Sequence, residues 1–272
     1  MIIDTHVHIG KSLGFDLKEE DVLYSMEAYG IDYAIVSSVE AAEYDHNLYP
    51  IPKQYQTSQT ECLKRCISFA KDNDGKIGAA AWVKPATETA NKEFEGLIAD
   101  NLDVVKAIKV HPYHSKTAFD GEKMIPFIKL AERYKLPMVV HTGGCDEASP
   151  KRVYNAAKSF PGVSFVMVHM GLGTDNKEAM DLICRLPNLF GDTTWVPMMN
   201  TVELIRRSSS KKIMFGSDNP IDGKDTYLHN RTGDRSIYQG YFNELKTLIS
   251  PDEYDDLMWK NAKELFNITI GN

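Results

Sequence analysis

The sequence predicts an α/β chain folded as a single (β/α)8 barrel. Three observations carry that expectation. Eight apolar, β-rich runs recur along the chain, at 1–9, 32–39, 76–83, 103–111, 136–142, 163–169, 189–195 and 212–218. Stretches with helical period and charged faces lie between them. The length of 272 residues suits one barrel, a fold of typically about 250 residues. Strands alternating with helices pair in parallel through right-handed crossovers. The competing fold, an open doubly wound sheet, carries a glycine-rich phosphate turn after its first strand. Here that position reads His8-Ile9-Gly10-Lys11, with no such turn. The expectation is one domain over 1–272, with C-terminal helices covering the outside of the barrel.

Taken in order, the first strand is MIIDTHVHI, followed by a helical pattern at 18–30 and the strand DYAIVSSV. The segment 40–56, with Pro50 and Pro52, is the longest irregular stretch. It follows the second strand, so it belongs to the C-terminal face, where loops shape sites. EKMIPFIKLAERYK (122–135) is the clearest helix, and 201–210 is another. Residues 235–267 read as one or two more, with Pro251-Asp252-Glu253 suiting a helix start.

Composition narrows the function classes. A net charge of −7 gives no basic footprint for nucleic acid. No apolar run approaches the roughly 18 residues of a membrane span. Only Met1-Ile2-Ile3 precedes Asp4, so no secretory leader is expected. The four cysteines form no CxxC pair, and Cys62 and Cys66, four apart in a helix, read as packed thiols. This is the usage of a reducing cytoplasm. The expected partner is a small-molecule substrate, not nucleic acid or a membrane, and a homodimer is compatible with the pattern.

The chemistry lies in where the histidines fall. His6 and His8 end the first strand, His111 the fourth, His141 the fifth and His169 the sixth, while Asp218 ends the eighth. In a barrel these ends form the face on which sites are assembled. One histidine there is an ordinary packing partner. Five with a carboxylate on one rim are costly to bury separately, and a metal ion satisfies them together. Residues i and i+2 share a strand face, so His6 and His8 converge on one point about 2 Å from each. His141 and Asp218 complete three nitrogens and one oxygen, leaving a position open for catalysis. That set favours one Zn²⁺, with Mn²⁺, Fe²⁺ or Co²⁺ as alternatives. Asp4 is expected on the face of His6 and His8, one layer deeper, in support of the ligands. Lys109 and His111 share a face and are candidates for substrate binding. So are Trp195, as a pocket wall, and Arg231, whose guanidinium could grip a carboxylate or, like Arg235, pair with Asp234. Tyr113 and His114 are placed to line the mouth.

The segments D-T-H-V-H (4–8), K-V-H-P (109–112), V-V-H-T-G (139–143), V-H-M-G (168–171) and F-G-S-D-N-P (215–220) together resemble the amidohydrolase superfamily. The similarity is to its amidohydrolase-2 branch, which includes aminocarboxymuconate-semialdehyde decarboxylase-like enzymes. The resemblance implies that His6, His8, His141 and Asp218 bind the metal and that His169 is an acid/base beside it, or a ligand to a second ion. A carboxylated Lys109 would hold two ions; a plain ammonium would bind an anionic substrate. The implied activity is hydrolysis of a lactone, ester or amide of a small, carboxylate-bearing substrate by metal-activated water. Asp218 would take the water's proton, and His169 would position the attacking oxygen or protonate the leaving group. Non-oxidative decarboxylation on the same site is the alternative, and a barrel with a purely structural metal is a third.

Overall fold

In the computed structural model, residues 1–221 and 239–269 are described. The strands are β1 (Ile3–Ser12), β2 (Phe15–Leu17), β3 (Tyr33–Ser38), β4 (Ile77–Trp82), β5 (Val105–Val110), β6 (Met138–Gly143), β7 (Phe165–Leu172), β8 (Leu189–Asp192) and β9 (Ile213–Met214). Their order is β2-β1-β3-β4-β5-β6-β7-β8-β9. All neighbours pair in parallel except β2, which folds back antiparallel on the end of β1 with Gly10 opposite Leu17. Each of the eight runs read from the sequence supplies a parallel strand. The hairpin strand β2 was not expected. It forms because β1 continues past the histidines to Ser12 and turns through Leu13 and Gly14, both at positive φ.

The curled sheet closes on itself. The Thr5 amide donates to the Phe215 carbonyl at 3.0 Å, the Asp218 amide to His6 at 2.9 Å and the His8 amide to Asn219 at 2.8 Å. The last strand is far shorter than 212–218. The Phe215 amide donates to Leu257, and Ser217 turns to Asp4, so the chain leaves the β8 ladder after Met214.

Two apolar layers hold the barrel. Ala34, Val36, Ile108, Val140 and Met167 belong to the outer layer under the helices. Their neighbours Ile35, Ala107, Val139, Val166 and Val168 fill the interior. Each fully buried Val, Ile or Met among them contributes about 1.5–3 kcal/mol. Cys62 and Cys66 lie buried in the helix Gln59–Asp72, and burial pushes the Cys62 thiol up to about 12. The C-terminal segment divides between the layers. Tyr241, Leu245, Leu257 and Met258 pack on the outside, as expected. Ala262, Phe266 and Ile268 instead join the interior cluster with Ile3 and Tyr33, so the last helix (Asn261–Leu265) caps the floor of the barrel.

The long segment after β3 is pinned by its polar groups. The buried Glu43 carboxylate accepts from the Thr87 amide and hydroxyl and from the Ala86 amide, and Lys84 donates to Thr57. Fixed in this way, the segment brings His46 over the mouth of the barrel. Among the described residues no helix is long and apolar enough to cross a membrane.

Candidate metal centre

The inward aim of the His6–His8 pair depends on a bulge. Asp4 pairs with Ala34 and Val7 with Val36, so β1 takes three steps where β3 takes two. The extra residue reverses the alternation. Ile3 faces the interior before the bulge, and Val7 and Ile9 face the helices after it. His6 and His8 therefore point inward, while Asp4 sits in register with the outward-facing Ala34. The expectation that Asp4 shares the face of the histidines is corrected by this register shift. Asp4 instead ties β1 to the last strand, accepting from the amides of His6 and Ser217, both at 3.1 Å, and from the Ser217 hydroxyl. Burial pushes its carboxyl up to about 7.

Three further side chains reach the site through left-handed backbone. His169 (φ 66°), Trp195 (φ 55°) and Asp218 (φ 70°) are non-glycine residues in that region, each at a cost of about 1–3 kcal/mol. Val168 faces inward, so plain alternation would send His169 outward. The left-handed turn returns its ring to within 5.5 Å of His6 and 4.7 Å of His141, centroid to centroid. Gly216, just before Asp218, must be glycine for packing reasons. A Cβ there would stand 2.6 Å from Thr194 Oγ1 and 3.0 Å from Asp192 Oδ2.

The result is a tight triangle of His6, His8 and Asp218, whose ligating atoms all lie within 4.8 Å of one another. The two Nε2 atoms are 2.9 Å apart, and Asp218 Oδ1 is 3.4 Å from His6 and 3.1 Å from His8. The Lys109 amine adds a third partner to His6 Nε2, at 3.1 Å. One nitrogen with one lone pair or one proton thus faces three polar atoms. Protein groups alone leave that atom over-subscribed, and a shared cation resolves the crowding. The protonation states agree with this fit. Burial, then Lys109 and the neighbouring rings, hold His6 well below its ordinary value, leaving a neutral imidazole of the kind that can bind a metal. The hydrogen bond and charge of His8, His169 and the Trp195 indole outweigh burial at Asp218 and bring its carboxyl down to about 2.

Supporting groups fix each ligand. The Trp195 indole donates to Asp218 Oδ2 at 2.7 Å, so Trp195 orients the carboxylate as well as walling the pocket. The Ser37 hydroxyl meets His8 Nδ1 at 3.0 Å and can serve either tautomer. Asp192 was missed from the sequence, although it lies within G-D-T-T-W, the end of a predicted strand. Its buried carboxylate accepts from the amides of His169 (3.0 Å) and Thr194 (3.2 Å) and from the Thr194 hydroxyl (2.8 Å). It also stands 3.4 Å from His6 Nδ1. Burial pushes it up to about 7. His169 Nδ1–H donates to the Thr194 carbonyl at 3.0 Å, leaving Nε2 bare, and burial lowers its pKa to about 4.

The remaining predicted residues form the rest of a cavity of about 330 Å³, which every histidine among the described residues lines. His141 lies outside the triangle and stacks on His111, with centroids 3.7 Å apart and planes at 16°. His111 also stacks on Trp82, at 5.3 Å and 11°. Lys109 is buried, its amine 5.6 Å over the Trp82 ring, and burial pushes it down to about 8. His46, from the pinned segment, was not singled out in the sequence. It covers the mouth, donating from Nε2 to Leu13 at 3.0 Å. Tyr113 tethers it through a 2.8 Å hydrogen bond to the His46 carbonyl. Arg231, Arg235 and His229 fall outside the described residues.

Comparisons with known proteins agree with this architecture. The profile of the family described as Amidohydrolase, of the amidohydrolase-2 type, matches residues 3–268. No curated protein matches the chain by sequence. Among solved structures, the chain is similar to 5-carboxyvanillate decarboxylase from Novosphingobium aromaticivorans, solved with manganese bound. The identity is 12%, the TM-score 0.70, and 98% of this chain and 97% of that one are covered. It is also similar to 2,6-dihydroxybenzoate decarboxylase from Rhizobium, with 15% identity, a TM-score of 0.65 and 98% of each chain covered. A probable 2-pyrone-4,6-dicarboxylic acid hydrolase from Acinetobacter baumannii gives 12% identity and a TM-score of 0.65, covering 98% of this chain and 99% of that one. At these identities the likeness establishes the barrel fold alone.

Proposed function

This chain belongs to the amidohydrolase family, and on that premise we propose that it is a metal-dependent hydrolase of a small carboxylate-bearing lactone, ester or amide. His6, His8 and Asp218 would hold one divalent ion, with His141 adjoining them. Two imidazoles and a carboxylate suit Zn²⁺, and the manganese in the similar 5-carboxyvanillate decarboxylase supports Mn²⁺ as the alternative. Bound there, the ion supplies a Lewis acid that acidifies water and polarises a substrate oxygen.

The observation that carries this reading is the protonation of the triangle's own carboxylate and of the imidazole beside it. Asp218 is a carboxylate, and His169 presents a bare Nε2. Both are proton acceptors at neutral pH, and hydrolysis begins by taking a proton from water. Asp218, with Oδ2 held by Trp195, is placed to accept it. His169, on β7, orients the attacking water. The buried Lys109 amine offsets the negative charge of the substrate. Decarboxylation is the second reading, supported by the apolar wall of Leu13, Phe15 and Val39 and by the likeness to two decarboxylases.

Turnover in H₂¹⁸O with added Zn²⁺ or Mn²⁺, over a panel of carboxylated lactones, esters, amides and aromatic acids, separates the two. Hydrolysis places ¹⁸O in the product and releases no CO₂. Release of CO₂ from an aromatic acid, with no ¹⁸O gained by any product, would overturn the hydrolase reading.

A further inference from the structure

We infer that His111 is a specificity residue that donates a hydrogen bond to an acceptor oxygen, carboxylate or carbonyl, on the part of the substrate remote from the metal triangle. The inference rests on the reading of this cavity as the substrate pocket, and it adds the polar group that the substrate must carry there.

The backbone fixes the tautomer. His111 opens the short helix Pro112–Ser115, and its Nδ1 accepts from the His114 amide at 3.3 Å. A neutral imidazole that accepts at Nδ1 carries its proton on Nε2. The neighbouring histidines are used the other way. His169 gives its Nδ1–H to the Thr194 carbonyl, and His114 gives its own to Tyr44 at 2.8 Å. His46 gives its Nε2–H to Leu13. Their N–H groups are taken by backbone, whereas no hydrogen bond to a described residue takes the N–H of His111. His111 lines the cavity and is only half-buried, so its ring is within reach of a ligand there.

The ring cannot turn freely. Trp82 lies on one face, nearly parallel at 11°, and His141 is stacked at 16°. A donor held in this way needs no ordering when a ligand arrives, which is the condition under which one hydrogen bond discriminates well. An uncharged N–H donates equally to a neutral carbonyl or a carboxylate, whereas a lysine or arginine favours an anion.

The test uses the full chain loaded with Zn²⁺, labelled with ¹⁵N-histidine, and benzoate as the probe. The expected spectrum shows His111 as the Nε2–H tautomer, with that nitrogen shifting as benzoate is added. His111→Phe keeps a flat ring in the stack and removes the donor, while His111→Gln returns an N–H near the position of Nε2. Benzoate affinity should fall about tenfold in His111→Phe and stay within about threefold of wild type in His111→Gln, with zinc content unchanged in both. An Nδ1–H tautomer, an Nε2 that benzoate leaves unmoved, or equal weakening by both variants overturns the assignment. These readouts need no turnover, so failure of the hydrolase assay and failure of this assignment are separate results.

Discussion

The cavity has two halves built from the same residue type. In the triangle, His6 and His8 turn their Nε2 atoms to one point with Asp218, and polar atoms crowd at 2.9–3.4 Å. In the stack, Trp82, His111 and His141 lie ring on ring, and neither histidine belongs to the triangle. The difference comes from backbone. A bulge in β1 aims two side chains inward together, and left-handed residues at the ends of the later strands bring in Asp218 and His169. The stack has no such device and keeps ordinary strand alternation. Histidines on one rim are therefore not one site: convergence makes a place for a cation, and stacking makes a wall with a fixed donor.

The largest effect should come from the residue between the halves. His169→Asn removes the proton acceptor and leaves the triangle untouched. kcat should fall by about 10²- to 10⁴-fold with full metal content, measured by steady-state kinetics alongside metal analysis. An unchanged kcat would make His169 a packing residue, like the stack.

Trp195→Phe sharpens the contrast more gently. It keeps an aromatic wall and deletes the 2.7 Å hydrogen bond to Asp218. A bond to a charged group is worth about 1.5–3 kcal/mol, so kcat should drop at least tenfold with little change in KM. A rise in KM alone would return Trp195 to a wall.

The smallest effect on turnover is expected at the anchor beneath the triangle, where the readout is stability. Asp4 is raised from 3.8 to about 7 by burial. The folded state then holds a proton that the unfolded chain has lost, so the contribution of Asp4 to stability falls as pH rises between about 4 and 7 and levels off above. The span is on the order of 4 kcal/mol. In metal-free protein, the stability difference between wild type and Asp4→Asn, measured with denaturant, should change by about that span from about pH 4 to about pH 7. A difference that stays constant across that window would show that Asp4 titrates normally.

Much of this was legible in the sequence. The eight runs, the order of the motifs and the gathering of His6, His8 and Asp218 on one rim follow from periodicity and spacing. His169 reaches that rim only through left-handed backbone, and β1 and the last strand end elsewhere than the pattern predicts. What escaped depends on geometry that periodicity does not encode. Strict alternation puts Asp4 beside the histidines, and one inserted residue in β1 moves it. Asp192 is a single carboxylate within G-D-T-T-W until its neighbours show it holding His169. The side chain of His141 stacks on His111, a choice between packing partners that no spacing reveals. The floor-capping role of Phe266 and Ile268 is a long-range contact of a segment that reads as any amphipathic tail.

The account stands on the triangle as a metal centre. Elemental analysis of the protein purified without chelator, set beside His8→Ala and Asp218→Ala, tests this directly. The expected result is about one divalent ion per chain in the wild type, Zn²⁺ or Mn²⁺, and less than about a tenth of that in either variant. Full metal content in both variants would contradict it.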